Sequence, residues 1–443
     1  MSSHDAFRYA ICQCPEDLTP RLIYADWLDE RDDAISHAHA EFIRLQVESI
    51  DICENSPSGQ RLRLRQRDLL KAHGDDWIRR TANCEGSSSN DRGCLSVIHG
   101  WHFNRGFIEA ITIEAEEFLR HGEELVRRFP LTQIRFRLQR SDRNTITKLS
   151  ESEYLQNLTA IEFEPVRYGE SGLGNLGLRT ILQSSHLHQI RRLHLDRQNL
   201  TNHAIRLLIE WPGLLNLQRL DLSRNQQHND TQDGMDGDGI AQLLGTQRLR
   251  NLEWLKLDQI PIGIVGVDAF TVAGRLDKLR SLSLERCRIG SHGVQTIAQS
   301  PALPQLTTLD LRGNQVGVRG VQALAASLTL RSLETIDLSS NRISDAGVVA
   351  LARSQQVGGL RSLILRRNRL GDEGARALAN TGPLAHLHTL DLRCNEVGYS
   401  GAEAIALSTH LPSLSILDLR ENHIRPEDRS KLRKHLGKNL GRL

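Results

Sequence analysis

The chain has 443 residues, with 56 Lys and Arg against 54 Asp and Glu and a formal net charge of +2. So even a balance supplies no bulk attraction to a polyanion or to a lipid surface, and neither nucleic acid nor membrane is expected as a partner. No apolar run approaches the length of a membrane span, and the seven cysteines are odd in number and unevenly scattered, which fits a reduced chain better than a disulfide framework.

Taken in order, the N-terminus places His4 and Asp5 where a secretory signal would have its apolar core, so a cytoplasmic protein is expected. Residues 1–80 read as a small all-helical domain. Ala6, Tyr9 and Ala10 share a face before the Cys14-Pro15-Glu16-Asp17 break. Pro20 then opens a second helix carrying Leu22, Ile23, Trp27 and Leu28. Ala40, Phe42, Ile43, Val47 and Ile50 mark a third helix, and Leu62, Leu69, Leu70 and Trp77 a fourth. Tyr24, Asp26, Trp27 and Glu30 admit a docking or acid-site reading, but no neighbour completes a catalytic set. A core Trp27 flanked by solvated acids accounts for them more simply.

The run Arg21-Leu22-Ile23-Tyr24-Ala25-Asp26-Trp27-Leu28-Asp29-Glu30, with Pro15-Glu16-Asp17 before it and Ala40-Glu41-Phe42-Ile43-Arg44-Leu45-Gln46 after it, resembles the repeat-companion domain. That short module precedes repeats in large planctomycete proteins. The resemblance implies a bacterial protein and accompaniment of repeats, and it carries no reaction. Arg105-Gly106-Phe107 is similar to the junction at which such proteins enter their repeats.

Residues 81–106, rich in Ser, Gly and Asn near Gly86-Ser87-Ser88-Ser89-Asn90, read as a linker. Cys84, Cys94, His99 and His102 lack the C-x2-C knuckle of a rigid zinc site and read as unconnected.

From Gly239 to Gly401 a glycine recurs every 27 residues, at 239, 266, 293, 320, 347, 374 and 401, and an apolar residue follows four places later each time. Reading backwards completes a unit such as Leu333-x-x-Ile336-x-Leu338-x-x-Asn341-x-Ile343. Nine units open at Ile190, Leu217, Leu252, Leu279, Leu306, Leu333, Leu360, Leu387 and Leu414, and three weaker ones at Ile108, Leu131 and Leu158. This pattern and period are those of leucine-rich repeats, and a 27-residue unit with a G-x-x-x-L half resembles the ribonuclease-inhibitor subclass. The fold expected is an α/β leucine-rich-repeat solenoid over residues 107–425. Strands step by about 4.8 Å and helices by about 10 Å, so the sheet should be concave and the helices convex, as in a horseshoe.

At the ninth position stand Asn225, Asn314, Asn341, Asn368, Asn395 and Asn422, with Gln198, Ile260 and Cys287 as departures. An inward amide there can satisfy backbone groups of a bend. The repeating glycine is expected to serve close packing rather than a positive φ, because Ala204 fills that slot in one unit.

Two insertions fall where loops should. Residues 226–238 carry Asp230, Asp233, Asp236 and Asp238 but lack the order of a calcium loop. Residues 164–177 contain Gly172-Leu173-Gly174-Asn175-Leu176-Gly177, a formal G-x-G-x-x-G without the strand-to-helix context of a dinucleotide site. Residues 426–443 begin Pro426-Glu427-Asp428 and read as a polar capping helix.

No P-loop, H-E-x-x-H, G-x-S-x-G or C-x-x-C occurs. A non-enzymatic monomer without cofactor or metal is expected, binding a protein or peptide on the concave face. The residues pointing there are Trp254, Arg286, Asp310, Arg312, Asp337, Arg366, Arg367, Asp391, Arg393, Asp418 and Arg420. Mutual neutralisation of the Asp and Arg columns is the plainer account of them, and Trp254 should stand uncovered as an aromatic anchor. Two other classes remain: a small-GTPase regulator, since Ran activators are built from similar repeats, and an enzyme or docking module in the N-terminal domain.

Overall fold

The computed structural model describes residues 3–50, 52, 57–82, 93–138, 143–167, 172–225, 234–272 and 276–442. They form two compact units, one of Met1–Glu164 and Thr180–Arg192, the other of Pro165–Arg179 and Leu193–Leu443. Cys84 and most of the acidic insertion, with Asp230 and Asp233, lie outside the described residues.

The first unit opens with α1 (Ser3–Gln13), α2 (Thr19–Asp29), α3 (Ala34–Glu48) and α4 (Pro57–Ala82). Pro20 sits in the first turn of α2, and Asp33 caps α3 by accepting from the Ser36 amide. Ile11, Tyr24, Ala25, Leu28, Ala40 and Ile43 bury together, with Phe7, Trp27 and Val47 packed against them. The same cluster contains Phe107, which comes from a strand. The helices are therefore closed by the sheet that follows them.

That sheet begins earlier than expected. Residues 98–104, anticipated as part of a linker, form β1 (Ile98–Asn104), antiparallel to β2 (Phe107–Glu114). Next come α5 (Ala115–Arg128), β3 (Gln133–Arg137), α6 (Arg143–Glu151) and β4 (Ala160–Phe163), with β2, β3 and β4 paired in parallel. The three weaker repeats each supply one of these parallel strands.

The turn between β1 and β2 is the plug that fixes helices to sheet. Gly106 has φ +88°, and a Cβ there would lie 2.2 Å from Ile43 Cγ1, so only glycine fits. Its amide donates to Gln46 Oε1 and its carbonyl accepts from His39 Nε2 at 2.8 Å. Beside it Glu109, 1% exposed, takes two guanidinium ions: Arg21 Nη2 at 2.9 Å and Arg105 Nη2 at 2.5 Å. Arg21 also donates to the carbonyls of Arg105 and Pro15. Burial lowers the Arg21 guanidinium to about 10, against the pull of Glu109, so it keeps its charge at neutral pH. Arg21 and Arg105-Gly106-Phe107 thus meet in one buried network.

His39 offers a test of this junction. Burial lowers its imidazole to about 4, only partly opposed by the Gly106 carbonyl, with His4, Arg80 and Arg8 adding to the fall. The unfolded chain therefore takes up the proton first, and stability is lost as pH drops from about 6.5 towards 4. At pH 5 the loss should be about 1–2 kcal/mol. His39→Gln keeps a donor for the Gly106 carbonyl and should flatten that segment of a melting-temperature profile between pH 7 and 5. An unchanged slope would place the effect elsewhere.

The repeats continue through α7 (Gly174–Leu182), β5 (Arg192–His194), α8 (Asn202–Glu210), β6 (Arg219–Asp221), α9 (Gly237–Gly245), β7 (Trp254–Lys256), α10 (Gly263–Val272), β8 (Ser281–Ser283), α11 (Gly290–Gln299), β9 (Thr308–Asp310), α12 (Gly317–Ala325), β10 (Thr335–Asp337), α13 (Ser344–Ala352), β11 (Ser362–Ile364), α14 (Asp372–Ala379), β12 (Thr389–Asp391), α15 (Tyr399–Ala406), β13 (Ile416–Asp418) and α16 (Pro426–Leu440), those from α8 onward lying in the second unit. Strands β6 to β13 pair in parallel with equal register, so one position of the repeat becomes one column across the sheet. This is the leucine-rich-repeat solenoid expected from the period.

The glycine column serves packing. A Cβ on Gly320 or Gly347 would lie 2.5 Å from Val316 Cγ1 or 2.4 Å from Ile343 Cγ2, and neither glycine has a positive φ. The asparagine column ties each repeat to its predecessor. Asn341 Oδ1 accepts the amides of Asn314 and Val316, while its Nδ2 donates to the carbonyls of Leu311, Leu338 and Ser339. Cys287, in the same slot, gives its Sγ to the Leu257 carbonyl at 3.1 Å. It has no amide oxygen for the preceding bend, where the Ile260 amide turns to the Leu257 carbonyl instead.

Of the insertions, Asp236 caps α9 and accepts from Asn202, which makes it a structural residue. Gly172 packs on the Gln198 backbone, where a Cβ would lie 2.7 Å from the carbonyl, so the glycine-rich run follows the neighbouring bend. Among the described residues no helix is long and apolar enough to cross a membrane, and no group of three or more His, Cys, Asp or Glu could hold a metal.

Candidate functional site

The site expected from the sequence lies on β7 to β13 and the turns that follow them. In each strand the middle residue points into the core and its neighbours stand outward, as in β9, where Leu309 is fully buried and Thr308 and Asp310 are not. The register places Trp254, Ser281, Thr308, Thr335, Ser362, Thr389 and Ile416 in one column. Lys256, Ser283, Asp310, Asp337, Ile364, Asp391 and Asp418 form the next.

The acids and arginines on this face are largely spent on one another. Arg312 sits among Asp310 at 2.8 Å, Glu285 at 3.0 Å and Asp337 at 3.5 Å. Its bonds to Asp310 make its guanidinium even harder to deprotonate than usual. Arg366 reaches sideways to Asp391 at 2.6 Å, and Arg393 to Glu421 at 3.0 Å. Arg420 pairs with Asp418 on its own strand, and although burial would raise the Asp418 carboxyl, that pairing holds it below the usual range. Asp337 goes the other way: burial raises it, despite the Ser339 amide that donates to it at 2.9 Å.

Trp254 is not uncovered. It is half-buried, and the His194 ring stacks on it at 5.8 Å and 13° between planes. Arg286 is exposed, with its Nε 3.7 Å from Glu285, and its chain lies over Gly313. Arg367 is exposed and makes no side-chain hydrogen bond or ion pair among the described residues.

Three cations at the edge of this face escape a count based on strand positions. Arg288, Arg342 and Arg369 occupy the slot after the asparagine position, at φ +59°, +56° and +58°. They are exposed and, like Arg367, form no side-chain hydrogen bond or ion pair among the described residues. Left-handed backbone is uncommon for a residue with a Cβ, and here it aims the side chain out of a bend whose amides are already satisfied. The signal was available as Arg between the asparagine slot and the next Ile or Leu. Glu285 and Glu421, partners of Arg312 and Arg393, were likewise visible but not assigned.

Comparison with solved structures gives distant likenesses. An internalin (InlF) from Listeria monocytogenes is 15% identical, with a TM-score of 0.40 over 76% of this chain and 86% of that one. The Rad7 and Elc1 complex of yeast gives 14% and 0.45 over 92% of each chain. A leucine-rich-repeat protein of Leptospira interrogans gives 17% and 0.31 over 71% of this chain and 90% of that one. At such scores none of them bears on what this chain binds. No curated protein matches the chain in sequence. The leucine-rich-repeat family model matches residues 277–298, 303–325, 329–352, 360–379 and 384–406, and the chain carries leucine-rich repeats there.

Proposed function

We propose that the protein is a non-enzymatic scaffold that binds an acidic protein or peptide segment along the open face of the second unit's sheet and the arginine-bearing edge beside it. One observation carries this reading. The face's own acids and arginines neutralise each other in fixed pairs, while Arg288, Arg342, Arg367 and Arg369 keep guanidinium groups without an ion-pair partner among the described residues. A guanidinium offers bidentate bonds to a carboxylate, and arginines repeated on neighbouring rungs match an extended partner. The 27-residue period supports a ribonuclease-inhibitor type of repeat. The motif around Arg21 to Glu30 supports a companion module in the first unit, with Arg21 and Tyr24 spent on its core and Asp26 on an ion pair with Arg44.

A photo-reactive residue placed at Ser362 or Arg369 should cross-link the partner, and one placed at Glu403 on α15 should not. Adducts from Glu403 alone would sink the reading. Arg367→Glu with Arg369→Glu should weaken partner capture at least tenfold without changing the circular dichroism, because neither side chain supports the fold. These two positions are better probes than Arg366, whose reversal would set a second carboxylate beside buried Asp391.

A further inference from the structure

The first unit contains a cavity of about 550 Å³ between α1, α2, α3, the C-terminal part of α4 and the start of β2. That volume falls in the range of small-molecule sites. Its interior is aromatic. Tyr24 and Trp77 are 2% exposed and Phe107 is 9% exposed, the His39 ring stacks on Trp77 at 4.8 Å, and Trp27 stacks on Tyr24 at 5.6 Å. Its rim carries Arg8, Arg31, Arg79 and Arg80 with Asp5, Asp33 and Asp76, and there Arg79 lies 3.5 Å from Asp76 and Arg80 pairs with Asp33 at 2.9 Å.

Two of these arginines hold the fold. Arg8 donates to the Arg128 carbonyl, and Arg80 braces the α3 cap through Asp33 and Ser36. Arg31 and Arg79 are exposed, and Arg31 lies over the Trp27 ring at 3.9 Å. Burial raises the Tyr24 hydroxyl and lowers His4, and Arg8, Arg31 and Arg80 act on both in the direction a positive field requires. The carbonyl of Gly106 can only accept, so His39 Nε2 must be the donor, which leaves its neutral Nδ1 as an acceptor. Flat aromatic walls, the exposed Arg31 guanidinium and a few fixed polar atoms select for one kind of molecule.

We infer that this cavity binds a small anion bearing a flat aromatic ring, with the ring beside His39 and the edge of Trp27 and the anionic group on Arg31. Stacking alone would admit neutral rings, and guanidinium alone would admit any anion; together they require both features in one ligand. The site is separate from the docking face proposed above, so either can fail without the other.

Calorimetric titration of the full chain at low salt separates the contributions, using adenosine 5′-monophosphate, indole-3-acetate, adenosine and ribose 5-phosphate. At least one of the first two should bind with a Kd below about 1 mM, and at least tenfold more tightly than either adenosine or ribose 5-phosphate. Binding of the nucleotide alone would identify a phosphate source, and of the indole acid alone a carboxylate source. Arg31→Ala should weaken binding at least tenfold, Trp27→Leu likewise, and Arg206→Ala on α8 should leave it unchanged. The inference is overturned if none of the four binds, if ribose 5-phosphate binds as tightly as the nucleotide, or if Arg31→Ala binds as the parent does.

Discussion

Glu109→Ala is expected to destabilise the first unit by about 3–5 kcal/mol, because it strands a fully buried guanidinium. Arg21 is 0% exposed, and among the described residues its only carboxylate within ion-pair distance is Glu109, which also holds Arg105 and accepts from Asn104. Removing the carboxylate leaves Arg21 buried beside Arg105, which keeps only Glu16 at 3.1 Å as a counterion. Hydrogen exchange over residues 98–114 should accelerate by two orders of magnitude or more, with the repeats after residue 200 unaffected. Combining Glu109→Leu with Arg21→Met and Arg105→Met should recover much of the loss, since replacing a whole buried network costs far less than breaking it. Exchange unaltered in the single variant would show that the junction does not hold the helices to the sheet.

Asn341→Ala should destabilise the repeats around it by about 3 kcal/mol or more. The side chain closes five bonds, two from amides of the preceding bend and three to carbonyls, all with buried partners. Each buried polar group left without a partner costs about 1–3 kcal/mol. Asn341→Cys should be milder than alanine, because Cys287 shows that a thiol in this slot can still reach the carbonyl thirty residues back. Urea midpoints of the three proteins should fall in the order Asn, Cys, Ala. Equal midpoints for Cys and Ala would mean that the donor contributes nothing and the acceptor everything.

The fold was legible wherever one residue type recurred at one step. The strand at Thr335–Asp337, the buried Leu338 and the inward Asn341 follow from the period alone, as does the crowding at Gly347. β1 was not legible, because its ladder carries register shifts after Ile98 and after His102 and only Ile98 and Phe103 are buried on it. Alternation, the usual mark of a half-buried strand, is broken there. At the candidate site, the frame told which side chains stand on the face but not which way an arginine leans. Arg420 folds back onto Asp418, Arg366 and Arg393 reach the next rung, and Arg312 does both, each choice depending on which acids the neighbouring repeats offer. The His194 cover on Trp254 depends on two strands that lie sixty residues apart in the chain.

The asparagine ties run in one direction only. Asn314, Asn341, Asn368 and Asn395 each complete a bend that belongs to the turn before, through oxygens the earlier turn does not own. A chain growing through these repeats therefore carries an unfinished bend at its end until the next of these asparagines is added. A stop codon just before one of these asparagines would leave the amides of the preceding bend without that acceptor.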